Sequence, residues 1–126
     1  MKIIRGRVEG VVSEQRSAAF TGGVWADLVL PATDGVTINS VLFPPGSRTH
    51  WHDHERGQIL HVTAGRGLIC AFGETPREIG AGDTVWVPPG ERHWHGASSG
   101  GYLVHLAVSL GVTGWMEPVT DEEYPA

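Results

Sequence analysis

The sequence predicts an all-β protein, an antiparallel sandwich or barrel formed by one domain that spans residues 1–126. Three observations support this class. Short apolar segments alternate with turn signals along most of the chain. The chain contains 18 Gly and 8 Pro, and no ten-residue segment has the apolar period of a helix. A chain of 126 residues is long enough to bury one core of its own.

Five strands are expected, and each is bounded by glycine or proline. Between the second and third strands lies Ala64-Gly65-Arg66-Gly67, which we expect to form a turn. Near the C-terminus, Thr120 and Glu123 have the spacing of a helix capping box, and a single helical turn is expected there. The five expected strands cover residues 36–43, 58–63, 68–72, 84–87 and 102–110.

Alternation along these strands assigns their side chains to two faces. If Gln58 points inward, Leu60 and Val62 do so as well. Both faces of the last strand are largely apolar, so we expect both to be covered, the second by a partner subunit or by an N-terminal strand. One face of that strand carries Leu103, His105, Ala107 and Ser109.

The charge and cysteine content restrict the partners and the compartment. The net charge is −5, and the 9 Lys and Arg residues form no basic run, so we expect neither nucleic acid nor a membrane as partner. Cys70 is the only cysteine and has small or apolar neighbours, which predicts a buried, inert thiol. With no disulfide, no signal peptide and no membrane span expected, the protein is assigned to the cytoplasm.

A cluster of histidines is the main candidate for chemistry. His52 and His54 are two residues apart, so both rings project to one face of an extended strand, and Asp53 is turned away. Gln58 follows Gly57, and His93 follows a turn made by Pro88-Pro89-Gly90. Neutral imidazoles bind Mn, Fe, Co, Ni, Cu and Zn alike. The alternative is a chance grouping in a chain that holds 7 histidines.

These residues carry a resemblance to a known family. The pattern Pro45-Gly46-x5-His52-x-His54-x3-Gln58-x6-Gly65 resembles the first cupin motif, and Gly82-x5-Pro88-x-Gly90-x2-His93 resembles the second. In this chain Gln58 replaces the usual acidic residue, and Ala97 replaces the usual asparagine. The resemblance implies a cupin-type double-stranded β-barrel, or jelly roll. Its parts are motif one at 46–67, motif two at 82–97 and a C-terminal tail at 111–126.

Residues 36–124 are more closely similar to the manganese-dependent bacterial hydroxynitrile lyases. The likeness is carried by Trp51-His52-x-His54-x-x-Gly57-Gln58, by Gly90-Glu91-x-His93-Trp94-His95, and by Trp115-Met116-Glu117 in the tail. It implies a homodimer or higher homo-oligomer with one divalent ion per chain. The ion is expected to be Mn or Fe, with Zn, Ni or Co as alternatives. The implied metal ligands are His52, His54, Gln58 and His93.

The neutral Gln58 favours redox-neutral chemistry. Without a carboxylate ligand the ion keeps its full charge, which makes it a stronger Lewis acid and harder to oxidise. His105, which the lyase-like relatives share, is the candidate catalytic base that takes the hydroxyl proton of a cyanohydrin. A core histidine bonded to the backbone is the alternative role. Two other functions stay open: an oxygen-dependent cupin that cleaves an aromatic or alkene substrate, and a non-enzymatic metal- or ligand-sensing domain.

Further residues are assigned to a substrate pocket or to the packing around it. Strand parity places His95 beside His93 and Ser109 beside His105, and the resemblance implies that Asn39 and Val41 lie near the substrate. We expect Arg48 to be exposed, with pairing to an acidic substrate as the alternative. The indoles of Trp51, Trp86 and Trp94 are expected to pack in the core.

Overall fold

The computed structural model describes residues 1–125, which form twelve β-strands and no helix. The expected all-β class is therefore confirmed. Within these residues no helix is long and apolar enough to cross a membrane. The strands are β1 Glu14–Arg16, β2 Phe20–Thr21, β3 Val24–Thr33, β4 Val36–Phe43, β5 Arg48–Thr49, β6 His52–His54, β7 Gln58–Ala71, β8 Arg77–Gly80, β9 Thr84–Val87, β10 His93–Ala97, β11 Leu103–Leu110 and β12 Thr113–Trp115.

The strands form two antiparallel sheets that share β7. The first sheet contains β1, β3, β4, β11, β9 and the first part of β7, and the second contains β2, β5, β6, β8, β10, β12 and the rest of β7. Buried side chains from both sheets pack in one cluster, in which Val41 and Leu60 of the first sheet join Ile69 and Ala97 of the second. The two sheets therefore enclose a common core, as the predicted barrel requires.

The turn expected at residues 64–67 is wrong. β7 runs without a break from Gln58 to Ala71 and passes from one sheet to the other. Gly65 has a φ of +79°, and a Cβ there would clash with the carbonyl oxygen of Tyr102, the residue before β11. These glycines bend a continuous strand instead of ending it, because the strand keeps its pairing partners on both sides of the bend.

Alternation along β7 and β11 is confirmed. Gln58, Leu60 and Val62 are buried, whereas His61 and Thr63 are exposed. The inner face of β11 lies opposite that of β4, since His105 pairs with Val41. β4 and β9 have the predicted bounds, and the last strand begins one residue late, at Leu103.

A second apolar cluster lies on the other side of β10, where the C-terminal tail covers the sheet. It contains Trp51, Cys70, Trp94, Val119 and Tyr124. The burial of Cys70 and of these two tryptophans is as predicted. The expected core position of Trp86 is wrong, because its side chain is exposed on the outer side of β9.

The tail is attached by a buried arginine, which corrects the expectation that Arg48 is exposed. Arg48 is 7% exposed, and its Nε and Nη2 donate to the carbonyl oxygen of Val119 at 3.2 and 2.9 Å. Its Nη2 also lies 2.7 Å from Asp121 Oδ1, and its guanidinium lies over the ring of Tyr124. In the tail itself, the backbone N–H of Glu123 donates to Thr120 Oγ1, so the predicted capping box closes a single turn.

Candidate metal centre

Strands β6 and β10 bring three buried imidazoles together. His52 and His93 are directly paired across the two strands, and their ring centroids are 4.2 Å apart. His54 lies on the same face of β6 as His52. The centroid of its ring is 5.0 Å from that of His52 and 5.5 Å from that of His93. Asp53 points to the other face, where it pairs with Gly114. The short β6 thus presents both of its imidazoles to β10.

Gln58 adds an amide oxygen to this group. Its Oε1 lies 3.1 Å from His93 Nε2, and its Nε2 donates to the hydroxyl of Ser109 at 3.2 Å. Since the amide nitrogen is held by Ser109, the carbonyl oxygen is the atom that faces the imidazoles. An oxygen in this position can serve as a metal ligand, whereas an amide NH₂ cannot.

The outer nitrogens of the three imidazoles are held by hydrogen bonds. His52 Nδ1 donates to the carbonyl oxygen of residue 50 at 2.8 Å, and His93 Nδ1 donates to that of residue 91 at 2.9 Å. His54 Nδ1 lies 3.0 Å from Thr113 Oγ1. The protons on Nδ1 of His52 and His93 leave lone pairs on Nε2, which is the tautomer that metal-binding histidines adopt.

The state of these nitrogens fits a bound cation. Within residues 1–125, the buried Nε2 of His54 has no hydrogen-bond partner, which is costly unless a ligand satisfies it. Burial and the neighbouring His93 lower the pKa of His54 to about 4, and burial lowers the pKa of His52 and of His93. All three rings are therefore neutral near pH 7, as metal coordination requires.

A further histidine pair adjoins this group. His95 Nδ1 and His105 Nε2 are 3.0 Å apart, and both side chains are buried. The available nitrogens of His52, His93 and His95 lie within 4.8 Å of one another. His95, which the sequence placed in the pocket, thus also lies close enough to contribute to metal binding.

The histidines line a cavity of about 300 Å³ between the sheets. Each residue assigned to catalysis or to the pocket borders it, as do His52, His54 and Gln58, but His93 does not. The Oδ1 atom of Asn39 is buried there without a hydrogen-bond partner within the described chain. The assigned residues at the cavity wall are Asn39, Val41, His95, His105 and Ser109.

Sequence reasoning missed three residues at this site. Thr113 and Trp115 of β12 pair with His54 and His52, and the indole of Trp115 packs on the His52 ring with centroids 4.7 Å apart. Arg16 of β1 also borders the cavity. No local signal places these residues at the site. β12 reaches it by pairing with the distant β6, and β1 reaches it by pairing with β3. Trp115 stands out in the sequence only as part of the tail that carries the resemblance.

Comparison with known families identifies the fold. The family model described as cupin domain matches residues 39–109, more than half of the chain. The chain belongs to the cupin family. The resemblance inferred from the two histidine motifs is therefore confirmed, and so is the cupin-type jelly roll.

Two relatives cover most of the chain. The (R)-mandelonitrile lyase of Granulicella tundricola is 47% identical over 111 residues, which span 83% of this chain and 85% of that protein. The crystal structure of a cupin-like protein from Thermotoga maritima is 37% identical, with a TM-score of 0.84, and the match covers 98% of this chain and 95% of that one. The dimethylsulfoniopropionate lyase DddQ of Ruegeria pomeroyi is 32% identical over 62 residues, 49% of this chain and 31% of that protein.

Proposed function

We propose that this cupin is a metal-dependent lyase that cleaves a small hydroxylated substrate of the cyanohydrin type. The observation that carries the proposal is the 47% identity with a mandelonitrile lyase over most of both chains. The second named relative, although it matches only part of the chain, is also a lyase. The neutral donor set favours cleavage without redox change over oxygen chemistry.

The proposed metal ligands are His52, His54, Gln58 and His93, which hold one divalent ion, Mn or Fe. Three imidazoles and one amide oxygen suit such an ion, and the lone pairs of the buried Nε2 atoms support this assignment. A bound ion of this kind supplies a Lewis acid for the oxygen of the substrate. Because the donors carry no charge, they do not weaken that effect.

His105 is the proposed catalytic base, and His95 is its partner. His105 is 0% exposed, and burial lowers the pKa of its imidazole to about 4, so the ring is neutral and able to accept a proton at pH 7. The 3.0 Å contact with His95 holds the ring at the cavity wall. His105 takes the hydroxyl proton as the carbon–carbon bond to cyanide breaks, and it returns that proton to the leaving cyanide.

Reconstitution with Mn or Fe followed by assay with mandelonitrile tests this function. Aldehyde release that is equal with and without oxygen is the expected result. Oxygen consumption with a catechol or an alkene as substrate would contradict the lyase proposal and favour an oxygen-dependent cupin. Tight metal binding with no turnover of either kind would favour the sensing domain.

We also propose a homodimer formed through the outer face of the first sheet. Trp25 pairs with Leu42 across β3 and β4, and Leu42 pairs with Val104 of β11, which forms an apolar row on the outer side of the barrel. Trp25 and Leu42 are exposed in the single chain, and such a row is typical of a surface that a second copy covers. Light scattering on a gel-filtration column is expected to give twice the chain mass, and Leu42→Lys is expected to give the monomer.

Assignment to the cytoplasm stays a prediction.

A further inference from the structure

The wall of the metal cavity carries a single formal charge. Among residues 1–125, the side chains that border it are apolar groups, hydroxyls, amides and neutral imidazoles, together with one cation, Arg16. No aspartate or glutamate of the described chain borders the cavity. A divalent ion on the neutral donors would add only positive charge to this wall, and the carboxylate of Glu14 lies close to it as the ion-pair partner of Arg16.

Strand pairing directs Arg16 toward the cavity. Arg16 lies opposite Val24, whose side chain is fully buried in the core, and Gln15 lies opposite the outward-facing Trp25. Since paired residues share a face of the sheet, Arg16 projects to the inner side. Its side chain is 38% exposed, which places the guanidinium at the mouth of the cavity, where solvent and cavity meet.

The guanidinium has little to hold it within the protein. Its one ion-pair partner among the described residues is Glu14, at a long 3.7 Å, and that side chain is 68% exposed. An exposed pair of this kind holds the guanidinium only weakly. The planar fork of Arg16 is therefore free to bind a carboxylate, which it can do with two parallel hydrogen bonds.

We propose that the site accepts substrates that bear a carboxylate, with the substrate hydroxyl at the histidine centre and the carboxylate on Arg16. This inference rests on the proposed function, since that function places the hydroxyl end. A neutral cyanohydrin such as mandelonitrile carries no formal charge that could pair with a cation at the mouth. The cavity of about 300 Å³ is at the small end of the range for ligand sites, roughly 300–1,000 Å³, so one compact molecule can approach both ends.

Matched pairs of ligands test the proposal by calorimetry on the Mn-loaded protein. One pair is 4-(hydroxymethyl)benzoate and its amide, and the other is 3-hydroxypropanoate and its amide. The two members of a pair differ only in the charge at one end. The two pairs differ in the distance between the hydroxyl and that end. We expect at least one carboxylate to bind more tightly than its amide. Arg16→Gln should weaken binding of that carboxylate about fivefold and leave binding of the amide unchanged, because the substitution removes a partly exposed charged contact.

Two further variants should change the affinity for the carboxylate ligand in different ways. Arg16→Lys keeps the charge without the fork and should retain part of the preference. Glu14→Gln removes the competing carboxylate and should strengthen binding of the carboxylate ligand. Rising ionic strength should reduce the preference in the wild-type protein.

The outcomes separate this inference from the proposed function. If the protein retains Mn and cleaves mandelonitrile, but both carboxylates bind no better than their amides, the inference fails and the function stands. A preference that survives in Arg16→Gln also overturns the role of Arg16. If the wild-type protein retains no metal by elemental analysis, the proposed function fails, and the inference that rests on it fails with it.

Discussion

Replacement of Ser109 by alanine should weaken metal binding, although Ser109 is not a proposed ligand. Its hydroxyl accepts the hydrogen bond from Gln58 Nε2 at 3.2 Å, and Gln58 Oε1 lies 3.1 Å from His93 Nε2. In Ser109→Ala the amide nitrogen loses this partner. The amide can then rotate and present its NH₂ group to the centre, where it binds no cation.

The size of the effect follows from one neutral hydrogen bond. Such a bond contributes about 1 kcal/mol, which corresponds to about fivefold in a binding constant. Loss of groups that orient metal ligands costs roughly 10- to 100-fold in affinity. For Ser109→Ala we therefore expect about a tenfold increase in the dissociation constant for Mn, with a decrease of about 1 kcal/mol in the free energy of unfolding of the metal-free protein.

Competition with a fluorescent chelator measures the metal affinity, and urea unfolding measures the stability. Ser109→Thr keeps the hydroxyl and should bind Mn as the wild-type protein does. Ser40→Ala removes a serine from the outer side of the neighbouring β4 and controls for general effects of the substitution. If Ser109→Ala binds Mn as tightly as the wild type, the orientation of Gln58 does not depend on Ser109, and the reasoning is refuted.

Three further predictions concern His105, the metal-free protein and the tail. His105→Ala should retain full metal content and lose turnover of mandelonitrile at least 100-fold, and unchanged turnover would remove His105 from catalysis. Burial lowers the pKa of His54 and His105 to about 4, whereas an unfolded histidine has a value of 6.5, so the unfolded state binds more protons between these values. The metal-free protein should therefore lose stability as the pH falls from 6.5 to about 4, by about 2 kcal/mol per histidine at pH 5, and equal urea midpoints at pH 7.5 and pH 5 would contradict this. Arg48→Met should destabilise the protein by about 3 kcal/mol, since it leaves the carbonyl of Val119 without its donor; a thermal melt that matches the wild type would show that the tail does not depend on Arg48.

Features that depend on local chemistry could be predicted from the sequence. Asp34-Gly35 and Pro44-Pro45-Gly46 flank β4, and their backbone preferences delimit the strand as predicted. The spacing of His52 and His54 alone determines that they share a face, because alternation is a property of any extended strand. The inward positions of Leu60 and His105 follow from the same rule.

Features that depend on contacts between distant segments could not be predicted. Ala64-Gly65-Arg66-Gly67 has the composition of a turn, yet pairing with β10 and β11 on either side keeps β7 extended. Arg48 has the charge of a surface residue, and its contacts with Val119 and Tyr124 in the tail account for its burial. Trp86 has the size of a core residue, but its position in β9 places it on the outer face. For the glycine segment and for Arg48 the deciding partner is remote in the sequence, whereas for Trp86 the alternation along β9, in which Val87 is buried, decides the face.

The tail connects the metal centre to the second apolar cluster. β12 places Thr113 against the outer nitrogen of His54 and Trp115 against the ring of His52. The chain that follows is held by Arg48, which binds Val119 and contacts Tyr124. Because β12 pairs with β6, the strand that carries both histidines, detachment of the tail would remove the Thr113 contact from His54 and the Trp115 packing from His52. The apolar cluster on the far side of β10 therefore supports the geometry of the centre, and damage to that cluster should appear as lost metal affinity before it appears as lost fold.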